Sequence, residues 1–211
     1  MTIATDNFNR ADSANRGANW TSVSGFDSRI ASNEATPNTA GQPCLNYYNA
    51  ITPGDAQYAK ITLRAPIETL STDNYGNGPS IRIATGADTG YITICQTGAA
   101  RRFQVYRRIA GVETNIFGYT GATPAIGDVV ELRVNAGFDL DLRVNGVSVA
   151  TFTDTDVNKI QSGRVGDFGI VGNDFSHWDD WEGGDLVTAP PPDDGFLLVY
   201  AVASPSVVVG G

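Results

Sequence analysis

Apolar residues in this chain recur at every second position over short runs, and almost nowhere at helical spacing. Gly, Asn, Asp and Pro close each run. A chain so patterned has strands as its building blocks, because a period of two places alternate side chains on opposite faces of a sheet. The 211 residues suffice for one large all-β domain or two small ones. A chain of that size buries roughly 70% of its unfolded surface and needs no disulfide scaffold.

Three hairpins can be placed in register from the sequence. Val130, Leu132 and Val134 alternate with Val129, Glu131 and Arg133; Leu140, Leu142 and Val144 alternate with Asp139, Asp141 and Arg143. Pairing Leu132 with Leu142 gathers the six apolar side chains of the first and second sets' dry positions on one face. The same register sets Arg133 opposite Asp141 and Glu131 opposite Arg143, each pair worth about 0.2–1 kcal/mol. Asn145-Gly146 then marks a two-residue type I′ turn, with Val144 facing Val147 and Leu142 facing Val149. A third hairpin folds 102–109 onto 112–117 around Ala110-Gly111. There Phe103, Val105 and Ile109 meet Val112 and Ile116, while Arg108 faces Glu113. Ile81/Ile83 and Ile92/Ile94 mark two more strands around the loop 85–90. Strands with one wet and one dry face stack into a two-sheet antiparallel β-sandwich.

Composition narrows the chemistry. With 14 basic against 23 acidic residues the net charge is −9, which disfavours a phosphate-neutralising nucleic-acid binder. The single histidine, His177, cannot build a His-rich metal site. Cys44 and Cys95 lack CxxC spacing and are either plain buried thiols or a disulfide pair. The opening Met1-Thr2-Ile3-Ala4-Thr5-Asp6 has neither the basic nor the apolar region of a secretion signal, and no apolar run reaches membrane-span length. Synthesis in the cytoplasm is therefore expected.

Near the C-terminus, Ala189-Pro190-Pro191-Pro192-Asp193-Asp194-Gly195 is stiff and extended, and consecutive prolines exclude it from a central strand. Beyond it Phe196, Leu197, Leu198, Val199 and Tyr200, then Val207, Val208 and Val209, form a β-prone apolar tail that water would leave aggregation-prone. It docks either as a last strand on its own domain or as a tether on a neighbouring subunit.

The segment Asp6-Asn7-Phe8-Asn9-Arg10-Ala11-Asp12 with Gly17 and Asn19-Trp20 resembles the opening strand of concanavalin A-like (lectin/glucanase, laminin-G-like) jelly rolls. Leu140 to Gly146 resembles their late hairpin, and Phe168-Gly169-Ile170 with Trp178-Asp179-Asp180-Trp181 resembles their closing strand. The likeness covers about 5–187. It implies a jelly-roll β-sandwich over 1–188, which the Pro-rich linker over 189–195 and the apolar tail over 196–211 follow. It also implies adjacent first and last strands, bringing Phe8 and Trp20 near Trp178 and Trp181.

The fold implies sugar binding or a passive building role, and does not decide between them. For sugar, Arg82, Gln104, Tyr106 and Arg108 are the candidate side chains on one sheet face. Tyr47, Tyr48 and Tyr75 stand in polar stretches read as loops. The alternative is that Tyr and Arg simply cover a sheet surface. The Trp178–Trp181 cluster with Asp6 or Asp12 offers oxygens suited to Ca2+; otherwise these acids cap turns and pair with Arg10 or Arg16. The family's glucanase pattern Glu-x-Asp-x-x-Glu starts at none of Glu34, Glu68, Glu113, Glu131 or Glu182, so no enzyme is expected.

Related jelly rolls occur in head-decoration and tail-associated proteins of tailed bacteriophages. The resemblance thus implies a virion structural protein on the particle surface, whose partners are other virion proteins or copies of itself. The alternative is a module that contacts host glycans.

Overall fold

The computed structural model describes residues 2–39, 41–64, 76–96, 102–170 and 176–186. Residues 187–211 lie outside them, so the expected linker and the tail residues Phe196–Tyr200 and Val207–Val209 do too. The described residues form strands β1 (Ile3–Asp6), β2 (Trp20–Ser22), β3 (Ser28–Ala31), β4 (Glu34–Pro37), β5 (Cys44–Tyr48), β6 (Gln57–Leu63), β7 (Gly76–Ile83) and β8 (Gly90–Gln96). They continue with β9 (Arg102–Ile109), β10 (Val112–Tyr119), β11 (Val129–Val134), β12 (Asp139–Val144), β13 (Val147–Thr153), β14 (Arg164–Ile170) and β15 (Trp178–Asp185). One sheet runs β13-β12-β11-β6-β15-β4-β3, with β1 also paired to β15; the other runs β10-β9-β8-β7-β14-β5-β2. All pairings are antiparallel, and the sheets stack as a jelly-roll sandwich.

The expected hairpin register holds. Leu132 faces Leu142, Arg133 faces Asp141 and Glu131 faces Arg143. Val130, Leu132, Val134, Leu140 and Leu142 are buried in the core between the sheets. Asn145 (φ 51°) and Gly146 (φ 80°) make the turn, which needs positive φ at both positions. Val144 faces Val147, but a bulge then sets Leu142 opposite Ala150 instead of Val149. In the next hairpin Arg108 does face Glu113, while a bulge between Asn115 and Phe117 aligns Val105 with Phe117 and Phe103 with Tyr119. Ile109 and Val112 pair at the hairpin tip, where Val112 is 69% exposed, so they lie outside the core.

β1 pairs with β15, as the resemblance implies. Trp20 packs on Phe8 at 5.8 Å and on Trp181 at 4.9 Å between ring centroids. The spacing of Trp178 and Trp181 would put them on opposite faces of a regular strand. Both are fully buried, because β15 carries an extra residue between Asp179 and Glu182 and Asp180 takes φ 49°.

The seven-stranded sheet departs from the expected wet and dry faces. Ile81, Tyr91 and Cys95 face the partner sheet, yet Leu45, Ile83, Ile92, Ile94 and Phe168 form a second buried apolar cluster on the opposite face. β8 has no polar alternation: Ile92 and Ile94 interleave with Tyr91, Thr93 and Cys95. Both cysteines are buried and free, which selects the plain-thiol reading. No helix among the described residues is long and apolar enough to cross a membrane.

Candidate functional site

The four residues expected to bind sugar do not form one open surface. Gln104, Tyr106 and Arg108 do share the outer face of β9, but they are only 6%, 7% and 4% exposed. The Tyr106 hydroxyl donates to Gln104 at 2.9 Å, and Arg108 is held by Asp88 and Glu113. Arg82 is elsewhere. Its backbone sits at φ 51° in a β7 bulge, which reverses the alternation and turns the side chain toward the other sheet. There it donates to the carbonyls of Ile160, Asp55 and Asn135 at 2.8, 2.9 and 3.0 Å, a structural role. Tyr47 and Tyr48 belong to β5 rather than to a loop, and Tyr75 lies outside the described residues.

A groove bounded by described residues lies on the outer face of the eight-stranded sheet, with a volume of about 570 Å³. β1 and the residue after it contribute Thr5, Asp6 and Asn7; β6 contributes Lys60 and Thr62; the bulged part of β15 contributes Asp180, Trp181 and Glu182. The alternation that sends Ala59, Ile61 and Leu63 into the core turns Lys60 and Thr62 outward. A smaller recess of about 260 Å³ adjoins it, lined by Ile3, Tyr58, Glu131, Arg133 and Leu186 together with the same Lys60 and Glu182.

Charges in this groove are paired. Lys60 Nζ lies 3.0 Å from Glu182 Oε1, which also accepts the Tyr58 hydroxyl at 2.6 Å. Arg133 Nε donates to Glu131 at 2.7 Å. Burial works against the Glu182 charge, but the hydrogen bonds from Tyr58 and Lys60 outweigh it and hold the carboxyl below its ordinary range. Burial likewise opposes ionisation of Asp6, and is outweighed by hydrogen bonds from Arg10, the Trp20 indole and the Phe8 amide. Both carboxyls are therefore held in the charged form. A glycosidic general acid needs the reverse, a carboxyl whose proton is retained near neutrality.

The acids expected around a calcium ion are otherwise engaged. Asp6 is held by Arg10 at 2.6 Å, Asp179 and Asp180 share Arg64 at 3.1 and 3.0 Å, and Asp12 accepts from the Ser32 amide at 2.8 Å. Arg16 takes a partner the sequence did not suggest, the buried Asp167. Among the described residues no group of three or more His, Cys, Asp or Glu side chains could hold a metal ion. The expected calcium set does not fit.

No family model and no curated protein matches this sequence. Solved structures do match its fold. The carbohydrate binding module CBM66 from Bacillus subtilis is 13% identical at TM-score 0.55, with 79% of this chain and 92% of that chain covered. The VIP36 exoplasmic/lumenal domain in its Ca2+/Man3GlcNAc-bound form is 12% identical at TM-score 0.53, covering 83% and 86%. The Emp46p carbohydrate recognition domain in its potassium-bound form is 11% identical at TM-score 0.52, covering 81% and 90%. The chain thus shares the two-sheet jelly-roll fold of these three domains.

Proposed function

We propose that this protein is a non-enzymatic carbohydrate-binding module and that the groove across β1, β15 and β6 is its site. The observation that carries this reading is the groove itself: an open trough in which ammonium, carboxylate, amide and hydroxyl groups lie beside the half-buried Val129. Polyhydroxyl ligands need such closely set donors and acceptors, and a few directed polar groups on an otherwise preformed cavity define specificity. Hydrogen bonds to charged groups, about 1.5–3 kcal/mol each, supply the affinity here. The charged state of Asp6 and Glu182 supports binding without hydrolysis. Binding of the full chain to a glycan array and to polysaccharide affinity gels tests the reading. Saturable retention on at least one glycan is expected, and silence on all of them overturns it.

A second reading, the exposed module of a virion decoration or tail-associated protein, draws support from the apolar edge. Edge strands β10 and β13 expose Val112 and Val147, at 69% and 64%, as surfaces for a neighbouring copy or partner. Co-purification with an intact particle, lost when 196–211 are deleted from a still folded chain, is the outcome this reading requires. The two roles are compatible on one particle, with the groove facing outward toward host glycans.

A further inference from the structure

We infer that the groove takes a neutral oligosaccharide, laid across the Lys60–Glu182 pair with sugar rings on either side of it; this rests on the carbohydrate-binding reading above. Two recesses, of about 570 and about 260 Å³, meet at that pair, and Lys60 and Glu182 are the residues lining both. A ligand filling both must pass over them. One sugar ring occupies one recess only.

The class of sugar follows from the charge pairing. Among the described residues, each cation bordering the trough already has a carboxylate: Lys60 has Glu182 at 3.0 Å, Arg133 has Glu131 at 2.7 Å, Arg10 has Asp6 at 2.6 Å, and Arg64 has Asp179 and Asp180. An anionic sugar would have to displace one of these partners and strand its charge. The chain's net charge of −9 adds a repulsive field against such a ligand. A neutral sugar asks for neither. Tyr58 and Lys60 both engage Oε1 of Glu182, so Oε2 and the remaining Lys60 N–H groups are the acceptor and donors for vicinal hydroxyls.

Titration calorimetry on the full chain tests this with three ligand sets: neutral hexose mono-, di- and tetrasaccharides, a sialylated trisaccharide, and a sulfated disaccharide. The neutral tetrasaccharide should bind at least about tenfold tighter than the monosaccharide, equivalent to about 1.4 kcal/mol. Glu182→Gln and Lys60→Met should each weaken it by about tenfold. Thr62→Ala, which leaves the ion pair untouched, should weaken it by a smaller factor and guards against a folding artefact in the other two. Equal or tighter binding of the sialylated or sulfated ligand overturns the neutral class while leaving carbohydrate binding standing. So does a monosaccharide as tight as the tetrasaccharide for the two-recess arrangement. Neutral binding unmoved by all three substitutions places the site elsewhere and ends this inference alone, whereas no binding by any sugar ends both readings.

Discussion

The guanidinium of Arg16 and the carboxylate of Asp167 meet between the two sheets with both side chains at 0% exposure. Arg16 Nη2 donates to Asp167 Oδ1 at 3.0 Å, and the Trp178 indole donates to Oδ2 at the same distance. The guanidinium also lies 3.7 Å from the Trp20 ring centroid. This pair joins the N-terminal segment to β14, which no stretch of local sequence could reveal. Removing one partner strands a buried charge, so Arg16→Met or Asp167→Asn should cost about 3–5 kcal/mol in urea unfolding. The double substitution should cost less than the sum, and strictly additive losses would show that the two side chains do not interact.

Asp6 couples stability to pH. Its folded carboxyl titrates below the ordinary range, since hydrogen bonds from Arg10, Trp20 and Phe8 outweigh burial. A depressed folded value means a contribution fully present above the unfolded carboxylate value and lost as pH falls through the folded one. Urea midpoints of the wild type should therefore drop faster than those of Asp6→Asn below about pH 4, the ordinary Asp range. Identical acid slopes would refute the coupling.

Cys44 and Cys95 should be inert in the native protein. Burial pushes the Cys44 thiol up to about 12 and raises Cys95 well above its ordinary value. Thiolate, not thiol, is the reactive form. A colorimetric thiol reagent should label neither cysteine in buffer and both in denaturant; native labelling of either one contradicts the burial.

Arg82 ties the ends of three segments through the carbonyls of Asp55, Asn135 and Ile160 and lies 4.5 Å from the Phe138 ring centroid. Arg82→Met removes the donor from all three carbonyls, of which that of Ile160 is buried, and should destabilise by about 3 kcal/mol, the upper part of the range for one charged hydrogen-bonding group. Glycan binding at the groove on the outer face should be unchanged in that variant. A loss of sugar binding from a folded Arg82→Met protein would restore Arg82 to the site.

Gly146 carries a positive φ of 80° with nothing near its absent side chain. Gly146→Val is therefore a test of backbone strain alone, expected at about 1–2 kcal/mol by chemical denaturation. A neutral result would mean the Asn145-Gly146 turn has relaxed to another type.

Local chemistry made much of the sandwich legible. Leu132 against Leu142, Arg133 against Asp141 and the Asn145-Gly146 turn follow from neighbours a few residues apart, and each is found as read. The long-range pairing of β1 with β15 required the family resemblance, because nothing in Ile3–Asp6 names its partner. Arg82 was misplaced by strict alternation, because it lies at a bulge where it takes positive φ, and an Arg there announces none in the sequence.

Periodicity and turn chemistry thus determined which residues are strands and which hairpins form, since both depend on interactions within a few positions. Tertiary structure alone decided the groove. Asn7, Lys60 and Glu182 come from three distant parts of the chain, and only sheet pairing around β15 sets their polar groups side by side. It also decided which arginines are consumed: Arg108 by Asp88 and Glu113, Arg82 by three carbonyls, both out of a ligand's reach. Charge counts along a sequence do not reveal such pairing, because electrostatic partners are chosen by distance in space.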